Sequence, residues 1–284
     1  MNNNLKALIA ACDALGVPYT RHHASQNLVL VDAGGARHPF VNWSTPLNSH
    51  AIARLCEDKE YFQTLFGAVV RMPRAKGYLT PYCAERFAPY LQHQTLHDII
   101  DDMERQFPYP FIVKKNRGAS GDKVFLVRDR RQLESSLMAI FNPADAGSDY
   151  LCLAQERIDI VQEYRAVFVD GELVLCYRKA LDDAAYAGNL SPLHWSGARA
   201  IVEEDAATVA RIGAFCRPLF ETLMIPFCGL DIALARSGEL VLIETNASPG
   251  FDKVMDDCGM EPVKRVYLQI LAHLTGGETQ DRFA

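Results

Sequence analysis

Residues 227–250, FCGLDIALARSGELVLIETNASPG, constrain the fold more than any other stretch. Ile232, Leu234, Leu240 and Leu242 supply apolar positions on either side of Arg236-Ser237-Gly238-Glu239, which is turn chemistry, so two antiparallel strands joined by a tight turn are predicted. A turn centred on Ser237 and Gly238 sets Asp231 directly opposite Glu244, and the period of two puts Asn246 on the same face as Glu244. Like charges opposed on a sheet face destabilise it unless a cation lies nearby. Oxygen-only ligands of this kind suit Mg2+ or Mn2+. In an arbitrary hairpin the two carboxylates would simply be solvated; the Asn-Ala-Ser-Pro-Gly run directly after the second strand favours the metal reading.

A chain of 284 residues is long enough for a large core and two or three subdomains. Its formal net charge of -6, with no run of Lys or Arg, argues against a dedicated nucleic-acid binder, because phosphate binding needs a basic excess. No apolar stretch approaches a membrane span, and the first residues lack the basic and apolar regions of a signal peptide. A cytoplasmic protein with neither a nucleic-acid nor a membrane partner is expected. The eight cysteines form no C-x-x-C pair and sit mostly among apolar neighbours, as reduced buried thiols do.

Along the chain, the Asn run at 2–4 is read as the cap of a helix carrying Leu5, Leu8, Ile9, Cys12 and Leu15 and ending at Gly16. Residues 27–31 and 38–41 read as a hairpin around Gly34-Gly35. Helices are predicted from Ser49 and from Asp58, and a short strand over 69–72. Residues 74–94 carry no clear pattern, and Thr95 caps the next helix. Then comes a compact unit: strand 111–115, glycine turn, strand 124–127, and a helix capped by Asp129. Another strand follows at 150–155, then a hairpin of 163–169 with 172–178 around Asp170-Gly171. Residues 181–200 read as a long loop, which inside a domain is usually functional or disordered. A helix from Glu203 meets Pro218, which should kink or end it. The opening hairpin and a last helix near 262–274 complete the chain, and the final ten residues read as frayed.

Asn116-Arg117-Gly118-Ala119-Ser120-Gly121 lies between two strands, so it is neither a P-loop nor a dinucleotide fingerprint. A strand-to-strand glycine turn can still close over phosphates with its N–H groups, although an ordinary hairpin turn has the same composition. Lys114 and Lys115 point to opposite faces, so one of them faces inward. In the 163–178 hairpin, a turn between Asp170 and Gly171 pairs Glu163 with Arg178 and Arg165 with Cys176, which places Glu163, Arg165 and Arg178 on one face. A cross-strand salt bridge accounts for one arginine; the other is free for a carboxylate or phosphate. His93 and His97 have i,i+4 spacing without the Glu of a metalloprotease and read as surface residues. No Ser/His/Asp or Cys/His nucleophile arrangement is visible.

The order of parts, Asp58-Lys59, FIVKKNRGASG, AQERI, EYR with its hairpin, then GLD and ETNASPG, resembles the ATP-grasp superfamily of carboxylate-amine ligases over roughly residues 58–260. The last motif is similar to those of D-alanine:D-alanine ligase and the ribosomal-protein glutamate ligases. The resemblance implies an α+β ATP-grasp fold in which two α/β subdomains, about 95–156 and 157–284 within a domain of 58–284, clamp ATP. Residues 1–57 would be a truncated N-terminal α/β region. It further implies that Asp231, Glu244 and Asn246 hold two Mg2+ or Mn2+ ions on the ATP phosphates, and that Lys59 and Lys114 contact phosphate. Gly118, Ala119, Ser120 and Gly121 would form the flap. Gln155, Glu156 and Ile158 would belong to the adenine hinge, Glu163 would bind ribose, and Arg165 or Arg178 would face the reacting groups.

The chemistry implied is phosphoryl transfer from ATP to a carboxylate, followed by attack of an amine on the acyl phosphate, with positioning and charge neutralisation as the protein's task. An amino acid or small carboxylate and an amine acceptor are the expected substrates, with Asn189, His194 and Arg199 as candidate recognition residues. Phosphotransfer to a hydroxyl and a catalytically silent nucleotide-binding module remain as alternatives; a homodimer is left open. The sequence departs from the resemblance in its short N-terminal region and in Gly229, where D-alanine:D-alanine ligase carries Arg.

Overall fold

A computed structural model describes residues 1–118, 121–181 and 197–276. Helix α1 (Asn3–Leu15) starts where the Asn2 side chain accepts from the Leu5 N–H, and it stops at Gly16, whose φ of 66° is the left-handed geometry that ends helices. Strands β1 (Tyr19–His22), β2 (Leu28–Ala33) and β3 (Ala36–Val41) form an antiparallel meander. Helices α2 (His50–Glu57) and α3 (Lys59–Phe66) are capped by Ser49 and Asp58, as predicted.

No strand forms over 69–72; the strand is β4 (Ala75–Leu79), beyond Pro73. Val70 and Met72 are buried there as single apolar residues, so burial rather than strand pairing accounts for the Val-Val-Arg-Met pattern. A 3-10 turn (Glu85–Tyr90) leads to α4 (Leu96–Gln106), which opens on a capping box between Thr95 and Asp98. Strands β5 (Phe111–Lys115) and β6 (Val124–Val127), helix α5 (Arg130–Phe141) and strand β7 (Leu151–Gln155) follow. The second sheet runs β4-β7-β5-β6, antiparallel throughout. Its core, including Tyr78, Ile99, Met103, Val113, Leu137 and Cys152, lies under α4 and α5.

Strands β8 (Ile160–Val169), β9 (Glu172–Ala180), β10 (Arg199–Val202), β11 (Phe227–Ala235) and β12 (Leu240–Asn246) make a third sheet in the order β10-β9-β8-β11-β12. Both of its faces are covered, which is why residues 166–169 of β8 and most of β11 read as continuous apolar runs rather than alternating ones. Ala166, Phe168, Leu230 and Ile232 pack with Phe62, Phe66 and the buried side of α6 (Ala206–Thr222). Val167, Val169, Leu175 and Phe227 pack with α1, the first sheet, α7 (Asp252–Cys258) and α8 (Glu261–Leu274). The first residues of the chain therefore share one core with the last helices. Pro218 does not end α6 as expected. Leu219 and Phe220 beyond it are buried, and their packing carries the helix past the missing N–H to Thr222.

Candidate active site

The opening hairpin brings Asp231 opposite Glu244 as predicted, but by another route. Ala235 accepts from Gly238 and donates to Glu239, so the turn holds three residues, Arg236 to Gly238, with Gly238 at φ 87°. From Ile232–Leu242 to Leu234–Leu240 the pairing is one residue out of the predicted register, and the extra residue Ile243 makes a bulge that restores it at Asp231–Glu244. Asn246 then pairs with Gly229 at the end of the ladder, on the Glu244 face.

A corresponding bulge overturns the reading of the β8–β9 hairpin. Val174 is the extra residue there, and beyond it Glu163 pairs with Lys179, Arg165 with Tyr177 and Tyr164 with Arg178. One inserted residue moves every later side chain to the other face. Arg178 is therefore on the face opposite Glu163 and Arg165, and Lys179 takes the place predicted for it. Nothing in the sequence singles out Lys179, because the alternation is broken by a residue that looks like any other strand valine.

Lys179 is 6% exposed at its side chain and reaches both Glu163 (2.8 Å) and Asp231 (3.2 Å). Arg165 holds Asp231 in a two-pronged pair at 2.6 and 2.7 Å. Burial opposes ionisation of Asp231, but Arg165 and Lys179 hold its pKa down to about 2. Burial likewise works against the Lys179 charge, and Asp231 and Glu163 raise its pKa above the ordinary lysine value. A Cβ on Gly229 would stand 3.2 Å from the Arg165 Cδ and 3.0 Å from the Pro249 Cβ, so glycine gives Arg165 its room across β11.

Lys59, Lys114, Gln155 and Glu244 line one cleft, partly open to solvent, between the second sheet and β12. Lys59 opens α3 and pairs with Glu244 at 2.9 Å; its ammonium also donates to the carbonyls of Asn116 (3.3 Å) and Gly118 (2.8 Å). Lys114 is the inward lysine, whereas Lys115 pairs with Asp122. Burial lowers Lys114 to about 8, with Glu244 countering and Lys59 adding to the fall. Gly118 and Gly121 flank the turn at φ 148° and 71°; Ala119 and Ser120 lie outside the described residues. Asn116 is buried, and its Oδ1 accepts the Glu60 N–H (2.9 Å), so this turn is locked to the start of α3.

At the other end of the cleft, Glu156 accepts from Arg71 (2.9 Å) and from the Arg74 N–H (2.8 Å), so its carboxylate braces the crossing between sheets. Ile158 is half-buried in the same crossing. Asn189 and His194 lie outside the described residues; Arg199 is exposed at the start of β10.

Among the described residues no group of three or more His, Cys, Asp or Glu could hold a metal. Two carboxylates and a carboxamide on one sheet face are nonetheless hard oxygen donors of the kind Mg2+ takes when substrate phosphates complete its shell. Both carboxylates are neutralised by protein cations, Asp231 by Arg165 and Lys179, and Glu244 by Lys59. The donor set fits, with lysine and arginine standing where a nucleotide-bound cation would compete.

Solved structures share the fold. The D-alanine–D-alanine ligase of Bacillus anthracis complexed with ATP superposes with a TM-score of 0.55 at 16% identity, over 84% of this chain and 70% of that one. D-cycloserine synthetase does so at 0.54 and 15%, over 79% and 73%. Within that class, residues 85–270, well over half of the chain, match the model of the RimK-like ATP-grasp domain, and the chain belongs to that family. Human N-acetylaspartylglutamate synthase A is 26% identical over 70% of this chain and 45% of its own length. A ribosomal protein bS6–L-glutamate ligase of Salmonella paratyphi B is 30% identical over 58% and 52%. The chain spans about half the length of the curated relatives it matches.

Proposed function

We propose that this protein is an ATP-dependent, ADP-forming ligase that joins an amino acid or small carboxylate to an amine through an acyl phosphate. The observation that carries this is the convergence of Lys59 and Lys114 on Glu244 in one cleft, with Asp231, Arg165 and Lys179 on the adjoining sheet face. Relatives named as glutamate ligases and glutamate-conjugate synthases support the carboxylate-amine class. In this reading Lys114 and Lys59 bind the ATP phosphates, and the 116–121 turn covers them. Gln155, Glu156 and Ile158 border the adenine, and Glu163 takes the ribose once Lys179 releases it. Asp231, Glu244 and Asn246 would hold Mg2+ or Mn2+, which when bound neutralises charge on the transferring phosphoryl group.

In the same reading Arg165, kept charged by Asp231, would stabilise negative charge building on the acyl group. Residues 58–284 are proposed as the ATP-grasp unit, with residues 1–57 as a short N-terminal region that packs into the same core as its last helices. A cytoplasmic setting is part of the proposal and fits the eight free thiols. No helix among the described residues is long and apolar enough to cross a membrane.

ADP release measured over pairs of amino acids, small carboxylates and amines tests the reading. Ligation gives ADP only when both substrates are present. ADP formed with a hydroxyl compound alone would show phosphotransfer instead, and nucleotide binding without ATP consumption under any pairing would show a silent module.

A further inference from the structure

The segment after β12 leaves the sheet directly behind Asn246. Two asparagines from the start of the chain grip it. Asn4, fully buried on α1, donates to the Pro249 carbonyl (2.9 Å) and accepts from the Phe251 N–H (3.1 Å). Asn48 donates to the carbonyls of Ala247 (3.1 Å) and Phe227 (2.7 Å) and accepts from the Phe227 N–H (3.1 Å). The β11–β12 ladder ends at Gly229–Asn246, and Asn48 bridges the same two chain segments just beyond it, doing with a side chain what the backbone no longer does. A carboxamide is the side chain that both donates and accepts in one plane, so it can imitate a peptide unit on each side. Both asparagines lie before residue 85, where the family match begins.

We propose that Asn4 and Asn48 are positioning residues of the ATP site, clamping residues 247–251 so that the Asn246 carboxamide is held ready for a nucleotide-bound cation. The start of the chain is thereby a working part of the site. This rests on the reading of Asn246 as a metal ligand. Neither asparagine lines the cleft; each acts through the loop, as partners behind a ligand do when they fix its orientation.

The test uses the full chain with Mn2+ titrated calorimetrically in the presence of a saturating non-hydrolysable ATP analogue. Asn4→Asp and Asn48→Asp keep size and acceptors but cannot donate to the Pro249, Ala247 or Phe227 carbonyls. The expected result is Mn2+ binding weakened by about 10- to 100-fold in either variant. A lowered melting temperature with Mn2+ affinity within about twofold of wild type would mean a purely structural role and overturn the clamp.

Should either variant fail to fold, the wild-type protein supplies the answer by reciprocity of linkage. Adding Mn2+ and the analogue should slow hydrogen exchange at the Phe227 and Phe251 amides by about tenfold or more relative to amides of α4. Unchanged exchange in a formed complex would overturn the clamp alone. Wild-type protein that binds no Mn2+–nucleotide at all would overturn the ligase reading, and the clamp with it.

Discussion

Lys114 shows how a residue's chemistry depends on where the strand puts it. Its neighbour Lys115 has the same side chain and comparable burial, but it is neutralised by Asp122, whereas Lys114 faces a cleft shared with Lys59 and Glu244. A buried ammonium whose pKa has fallen to about 8 is short of counter-charge, and a phosphate would supply it. Lys114→Ala should therefore reduce turnover by at least about 100-fold in an ADP-release assay, with circular dichroism unchanged. Glu244→Gln should lose as much while keeping its shape; wild-type-like ADP production by that variant would remove Glu244 from the metal set. The inward lysine was legible in the family resemblance, which singled out Lys114 rather than Lys115. The Lys59–Glu244 pair was not, because it joins residues far apart in sequence through two elements that only packing brings together.

At the level of elements, two hairpins carry the site and each contains a bulge that the alternation of side chains does not announce. In the β11–β12 hairpin a three-residue turn and the Ile243 bulge offset each other, so Asp231 faces Glu244 as a two-residue turn with no bulge would also have placed it. In the β8–β9 hairpin the Val174 bulge stands alone and exchanges Arg178 for Lys179. The exchange is testable in the same assay. Lys179→Ala, which leaves Glu163 and part of Asp231 unpaired in a buried site, should lower turnover at least about tenfold more than Arg178→Ala. The reverse ranking would restore Arg178 to the site. Helix caps were far easier to read than bulges. Asn2, Ser49, Asp58, Thr95 and Asp129 all accept the hydrogen bonds their positions predict, because a cap is decided within four residues.

On the scale of the molecule, the fold is built on three cores, and the one under α1 and α8 ties the first residues of the chain to the last helices. Leu8 is fully buried there, and Leu8→Ala should cost about 2–5 kcal/mol by denaturant unfolding, a loss shared by the whole β8–β12 sheet rather than confined to the N-terminal region. The same cores hold most of the thiols. Burial pushes Cys12 and Cys176 up to about 12 and Cys56 to about 11, from an ordinary value of 9.0. A folded protein that keeps these protons while the unfolded chain releases them has their contribution in full below pH 9 and loses it as pH rises toward 11 and 12. Melting temperature should accordingly fall above pH 9, and Cys12→Ser should flatten part of that fall.

The sequence by itself determined the elements with local signals, the shared face of Asp231, Glu244 and Asn246 in the last hairpin, the glycine turn, and the family to which these parts in this order belong. Those features depend on neighbours a few residues away or on a motif that keeps its spacing. Tertiary structure decided which side chains neutralise one another: Lys179 between Glu163 and Asp231, Lys59 on Glu244, and Asn4 and Asn48 on the loop behind Asn246. A single inserted residue reverses a strand's faces, and a buried contact between residues 4 and 249 leaves no periodicity in between, so both become visible only when the chain is closed into its three cores.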